Sequence, residues 1–132
     1  MPIVLSVSPT SGPIGTTFTF SALVTGAPPA SLVNVEIRGR LKGDLTWTLL
    51  PGSAQTLTAD AAGTANYSYS STLPGVVNRV YEFVAHVTVG AASGDSNIVT
   101  LTIGPVPVSP TLVRTIISIA LIGGILYFTM KK

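Results

Sequence analysis

The chain has no cysteine, which excludes disulfide staples and thiolate metal sites. It has one histidine, His86, and one tryptophan, Trp47. Charge is scarce, at 9% of 132 residues. A surface with so few ions takes its polarity from hydroxyls and amides, which fits packing into an assembly better than free solution at high concentration. The five acids, Glu36, Asp44, Asp60, Glu82 and Asp95, occur singly. A calcium site shared by Asp60 and Asp95 is the one metal alternative, and it lacks the Asp-x-Asp-x-Asp spacing of a calcium loop. His86 falls on the polar face of its strand beside Val84 and Thr88, with no carboxylate or nucleophile near it in sequence. No triad, dyad or metal cluster emerges, so the chain is not expected to be an enzyme. No cofactor and no small-molecule substrate are expected. No secretory leader is expected. Met1 to Pro9 has no positive n-region, and its apolar run is too short for an h-region.

What is present divides into two materials. Residues 1–111 carry Arg38, Arg40, Lys42 and Arg79 against the five acids, whereas the tail adds Arg114, Lys131 and Lys132. The net charge of +2 therefore belongs to the tail, and no nucleic-acid partner is expected. From Thr115 to Met130 no residue is charged. Counted from Leu112, the run spans roughly 28 Å as a helix, close to a hydrocarbon core of ~30 Å. Arg114 lies one turn inside its start, where its stem can snorkel to the headgroups. Ile116 belongs to the apolar body, Tyr127 stands where interfacial aromatics collect, and Lys131 and Lys132 close the far end. Ala120 and Gly124 form a small-xxx-small pair next to Gly123, a pattern of close helix packing that is also common in lone spans. Residues 112–132 thus read as a single C-terminal transmembrane α-helix with the lipid bilayer as partner. The competing reading, a buried core helix, needs more protein than this chain has to cover it. With no leader ahead of it, the arrangement reads as tail-anchored and single-pass.

Residues 1–103 read as strands. Ile3–Ser8 comes first, then Thr16–Thr25 with Phe18, Phe20, Ala22 and Val24 on one face. Leu32–Arg38 follows, then Leu45–Leu50 with Leu45, Trp47 and Leu49 together, Gln55–Ala59, Ala65–Ser70 with Tyr67 and Tyr69 together, Arg79–Val89 and Asn97–Ile103. Period-two alternation, β-branched enrichment and Gly, Pro, Asn and Asp breaks are strand signals. Seven to eight short strands in about 100 residues predict an all-β sandwich. Phe18, Phe20, Val35, Trp47, Tyr69, Phe83 and Leu101 are expected in or near its core. Asp60 to Gly63 predicts a hairpin with glycine at a left-handed position. Gly104 to Thr111, with Pro105, Pro107 and Pro110, predicts a semi-rigid polyproline II linker of ~25 Å.

Two surface features remain. Arg38, Arg40 and Lys42 alternate, so in an extended strand they line one face up to a turn at Gly39 and Gly43. They form a candidate contact patch for anionic lipid, glycan or a neighbouring subunit, or a solvated tip that blunts edge pairing. Asn66-Tyr67-Ser68 is a glycosylation sequon.

Ser6 to Phe20, reading Ser-Val-Ser-Pro-Thr-Ser-Gly-Pro-Ile-Gly-Thr-Thr-Phe-Thr-Phe, resembles the opening of IPT/TIG-type immunoglobulin-like domains. Asp95 to Ile103 resembles the last strand of bacterial immunoglobulin-like repeats. Tyr81 to Ala85 resembles the penultimate strand of fibronectin-type-III-like sandwiches, where a tyrosine often ties the corner. The chain departs from the IPT/TIG pattern after Phe20, running Ser21 to Gly26 in place of a Gly-x-Gly-Phe loop. The resemblance implies an immunoglobulin-like β-sandwich at 1–103 and adhesion, spacing or display rather than chemistry.

Together these features lead to the expectation of a membrane-anchored structural protein of a membrane-containing virion, a spike, vertex or capsid–membrane linker. Its partners would be neighbouring copies or other structural proteins. The alternative is an archaeal or bacterial cell-envelope adhesin, surface-layer or filament protein.

Overall fold

The computed structural model describes residues 1–74 and 76–105. The predicted helix at 112–132 lies outside the described residues, as does the linker beyond Pro105. Within them the chain is all-β, with no helix. Ten strands run in order: β1 Ile3–Ser8, β2 Ser11–Gly12, β3 Phe18–Val24, β4 Leu32–Leu41, β5 Thr48–Leu49, β6 Gln55–Thr58, β7 Ala65–Ser71, β8 Val80–Val89, β9 Ala92–Asp95 and β10 Val99–Ile103. They build two sheets. One is the ribbon β1-β3-β7. The other runs β2-β10-β8-β4-β5, with β6 also on β4 and β9 also on β8. All pairings are antiparallel except β2 with β10.

Alternation explains why the two sheets stack. Ile3, Leu5 and Val7 of β1, Phe18, Phe20, Ala22 and Val24 of β3, and Val33, Val35 and Ile37 of β4 are all buried. Phe83, Ala85 and Val87 of β8 and Leu101 and Ile103 of β10 join them. Phe20 and Phe83 meet between the sheets with ring centroids 4.9 Å apart and planes tilted by 57°, a geometry that adds to their area burial. Gly39, paired with Phe83, makes room for that ring. A Cβ there would stand 2.5 Å from Phe83 Cε1.

Both open corners of the stack are latched by side chains. The Asn97 amide accepts from Leu5 N–H at 2.9 Å and donates to Leu5 C=O at 3.0 Å. It imitates a neighbouring strand on the free edge of β1, where unpaired backbone groups would otherwise invite another chain. At the opposite corner the Tyr67 hydroxyl donates to Ser53 C=O, and the Tyr69 hydroxyl to Pro51 C=O at 2.8 Å. Burial pushes the Tyr67 phenol above its ordinary range.

The two central strands carry matched interruptions. Ile37 and Ala85 are paired across β4 and β8. On the outer side of Ile37, the strand-like run breaks between β5 and β6, and Ser53 Oγ accepts from Ile37 N–H at 3.1 Å. On the outer side of Ala85, it breaks between β9 and β10, and Ser96 Oγ accepts from Ala85 N–H at 2.8 Å. Each serine satisfies a backbone donor that an uninterrupted neighbour would have taken.

Several expectations need correction. Leu45–Leu50 contracts to the two residues of β5, and Leu45 is 93% exposed. Trp47 is not in the core. It lies outside the larger sheet, with the Arg40 guanidinium 4.0 Å from its ring centroid. Tyr69 is partly buried against the core and the other five expected core residues are within it. Gly39 sits inside β4, which continues to Leu41 instead of turning. Asp60 to Gly63 is an arch between sheets, because β6 pairs with β4 while β7 pairs with β3. Gly63 does take a left-handed φ of 79°, and a side chain there would meet the Ala27 carbonyl oxygen. Strands β2 and β9 went unforeseen.

Candidate functional site

The outer face of the larger sheet holds most of the charged side chains among the described residues. Arg38 and Arg40 share that face, as alternation requires, yet neither is a free cation. Arg38 Nε bonds Glu36 Oε2 at 2.6 Å, and Arg40 Nε bonds Glu82 Oε1 at 3.0 Å. Arg40 is also stacked on Trp47. Lys42 lies just past the end of β4 and anchors the turn through its backbone, donating to Val80 C=O at 3.0 Å. The three positions are thus neighbours, but only Lys42 presents charge with no acidic partner among the described residues.

His86 acquires a partner that the sequence concealed. Its Nδ1 is 2.7 Å from Asp95 Oδ1, because β9 folds back beside β8. Glu36 occupies the position across from His86 on β4 and is held by Arg38. A His–Asp pair needs a hydroxyl or thiol on the other ring nitrogen to make a nucleophile, and no such bond occurs among the described residues. Asp60 and Asp95 do not converge. Asp60 Oδ1 accepts from Ala62 and Thr64 N–H in its own arch, and β4 and β8 lie between that arch and β9. No group of three His, Asp or Glu side chains among the described residues is placed to hold a metal.

The outer face of the ribbon is the opposite in character. Register aligns nine side chains in three rows: Val4, Leu23 and Asn66; Ser6, Ser21 and Ser68; Ser8, Thr19 and Ser70. None is charged. Thr19 and Ser70 share a hydroxyl–hydroxyl bond of 2.9 Å. Asn66, with its sequon, stands on this face and is exposed. The outward serines are visible in the sequence as alternation, but their alignment into rows needs the register.

A fourth feature is an apolar groove of about 160 Å³ between the β4–β5 hairpin and the segment after β7. Leu49, Leu50, Leu73, Val76, Tyr81 and Phe83 line it. The Tyr81 hydroxyl, at its margin, accepts from Val77 N–H at 2.9 Å and donates to Val77 C=O at 3.1 Å.

Among the described residues no helix is long and apolar enough to cross a membrane. Leu112, Arg114, Ile116, Ala120, Gly123, Gly124, Tyr127, Lys131 and Lys132, the proposed anchor, lie outside the described residues.

No protein-family model matches the chain, and no curated protein matches it in sequence. Solved structures share its fold. The N-terminal domain of the adhesin Sgo0707 from Streptococcus gordonii is 13% identical, with a TM-score of 0.50 over 78% of this chain and 32% of that one. The alkylpurine DNA glycosylase AlkC of Pseudomonas fluorescens, bound to DNA with an abasic-site analogue, is 16% identical. Its TM-score is 0.53 over 79% of this chain and 30% of that one. A β-glucosidase from Listeria innocua in complex with glucose is 12% identical, with a TM-score of 0.52 over 80% of this chain and 16% of that one. This chain spans about a third or less of each. At such identity the likeness concerns the fold alone.

Proposed function

We propose that this chain is a membrane-anchored, non-catalytic display protein that works by protein–protein contact as a structural component of a membrane-containing virion. The observation that carries the reading is the uncharged nine-residue face of the ribbon. Covering hydroxyls and small apolar groups costs less desolvation than covering lysines and glutamates. An uncharged face of this kind suits repeated contact with identical neighbours. The apolar run at 112–132 would confine the head to a membrane plane, where weak contacts gain from high effective concentration.

Within this reading the head is an immunoglobulin-like sandwich of the IPT/TIG or fibronectin-type-III kind. What supports it is the division into β1-β3-β7 and β2-β10-β8-β4-β5, the short β2 parallel to β10, and Tyr81 tied to Val77 four residues upstream. The second reading is a cell-envelope adhesin, surface-layer or filament protein. It is favoured by the fold's occurrence in a streptococcal adhesin domain.

The test is Ser21→Lys at the centre of the uncharged face, with imaging of particles or membranes from the native source. The expected result is loss of ordered neighbours with stability changed by less than about 0.5 kcal/mol, as for a surface substitution. Isolated monomers in a cellular membrane before any mutation would overturn the assembly reading. An ordered cellular surface layer would keep assembly and overturn the virion.

A further inference from the structure

The two ends of the sandwich differ in a way the fold does not require. β10 leads to the end where the chain leaves at Pro105, and register shows which loops share that end. Ile103 N–H bonds Arg79 C=O, Gly104 N–H bonds Gly12 C=O, and Lys42 N–H bonds Val80 C=O. Gly104 also packs against the Asn78 side chain. The exit end is therefore built from the segments 13–17, 42–47 and 76–79 around Gly104. Each presents a large apolar side chain to solvent: Ile14 at 57%, Leu45 at 93% and Val77 at 53% exposed. Lys42 and Arg79 stand among them, with Asp44 as the one acid on these segments.

The opposite end is formed by Met1 and Pro2 with the loops 25–31, 60–64 and 90–91. The three loops hold Gly, Ala, Pro, Ser and Thr with one charged side chain, the acid Asp60, and the large apolar side chains at this end are Met1, 41% exposed, and Leu32 at the start of β4, 61% exposed. An exposed leucine at a hairpin tip gains nothing from water. Three such tips on one end, interspersed with cations, have the composition of a surface that enters a lipid interface.

We propose that the exit end of the head is a lipid-contact surface. Ile14, Leu45 and Val77 dip into the headgroup region, while Lys42 and Arg79 pair with anionic lipid phosphates. This inference rests on the reading of 112–132 as a membrane span. The position of the exit supports it, because only residues 106–111 separate Pro105 from Leu112. At roughly 3.3–3.6 Å per residue even a fully extended spacer reaches at most about 25 Å, so the exit end is the part of the head held nearest the bilayer. In that reading Arg114, two residues after Leu112 in sequence, would add a further cation. The contact would fix the tilt of the head, which a single point of attachment does not, and so present the uncharged ribbon face sideways to neighbours.

The chain's lack of cysteine makes the test clean. Leu45→Cys and Val77→Cys each carry a single environment-sensitive fluorophore, with Ala61→Cys as the control at the opposite end. The full chain is reconstituted into vesicles of phosphatidylcholine with a minority of phosphatidylglycerol, with or without lipids bearing a quencher at the headgroup–acyl boundary. Emission from positions 45 and 77 is expected to be lost with the quencher lipid, and that from position 61 to persist. Combining Lys42→Glu with Arg79→Glu should lower the quenched fraction by about fivefold or more, as expected from the pull of each basic residue on an anionic surface. Flotation of the vesicles separates the two readings. If the chain floats with lipid but positions 45 and 77 stay unquenched, the lipid-contact surface is refuted and the anchor stands. Equal quenching at all three positions likewise refutes an end-on contact. If the chain does not float, the anchor reading falls and takes this inference with it.

Discussion

Removing one oxygen tests the corner of the sandwich. Tyr67 projects from β7 into the interior, is 2% exposed, and donates its hydroxyl to the carbonyl of Ser53. Ser53 is itself fully buried and holds Ile37 of the other sheet. Tyr67→Phe keeps the ring and its packing but leaves a buried carbonyl without a donor. That loss costs about 1–3 kcal/mol. For a domain of this size each kcal/mol lowers Tm by about 4–8 °C. The assay is thermal unfolding of a 1–105 fragment followed by circular dichroism, since the core and latches described above close within those residues. The pH dependence supplies a second readout. Burial raises the Tyr67 phenol in the folded state, so the folded form favours the neutral hydroxyl more strongly than the unfolded chain does. The associated stability is complete below the ordinary tyrosine pKa of about 10 and declines as pH rises beyond it. Tyr67→Phe should therefore melt lower at neutral pH and lose less stability between neutral and strongly alkaline pH than the parent. A Tm within about 1 °C of the parent, where 1 kcal/mol is worth several degrees, would refute the buried bond. An unchanged alkaline slope would refute the burial argument.

Two further perturbations probe the same framework. Phe83→Ala removes the ring that meets Phe20 between the sheets and should cost about 3–5 kcal/mol in the same melt; a loss under about 1 kcal/mol would mean that Gly39 and Phe20 do not enclose it. Asn97→Ala frees the edge of β1 and should cost about 1–3 kcal/mol, with concentration-dependent association visible by sedimentation; a variant that stays monomeric at unchanged stability would show that the amide does not guard that edge.

Sequence alternation was a sound guide where one face of a strand is wholly buried. β1, β3, β4, β7, β8 and β10 all emerge from the period-two pattern, because a one-residue slip there would expose the entire apolar set. It misled at Leu45 to Leu50, where the same alternation occupies a hairpin arm that pairs through only two residues. Trp47 reads as core by residue type, and only its guanidinium cover explains a place outside the sheet. β9 was hidden because Ala92-Ser93-Gly94 has turn composition, although Gly90 and Ala91 form the two-residue connection that lays it on β8. Missing β9 meant missing the Asp95 carboxylate at His86. The patch at Arg38, Arg40 and Lys42 was legible as a neighbourhood but not as paired charge, since Glu82 lies on another strand. The uncharged ribbon face has the same limit: its serines are local, while its rows are set by three strands meeting in register.

The way the chain leaves the head also decides how it would bear tension. If the chain is anchored as proposed, a pull would enter through Pro105 along β10, whereas the bonds from β10 to β8 lie across that strand. Those bonds, and the parallel ones to β2, are loaded together in shear instead of being opened one by one from an end. The interruption at Ser96 to Ile98 separates β10 from β9, so a slip of the loaded strand need not peel the β8–β9 hairpin from the sheet. A domain tethered in this manner would resist detachment until several bonds fail at once.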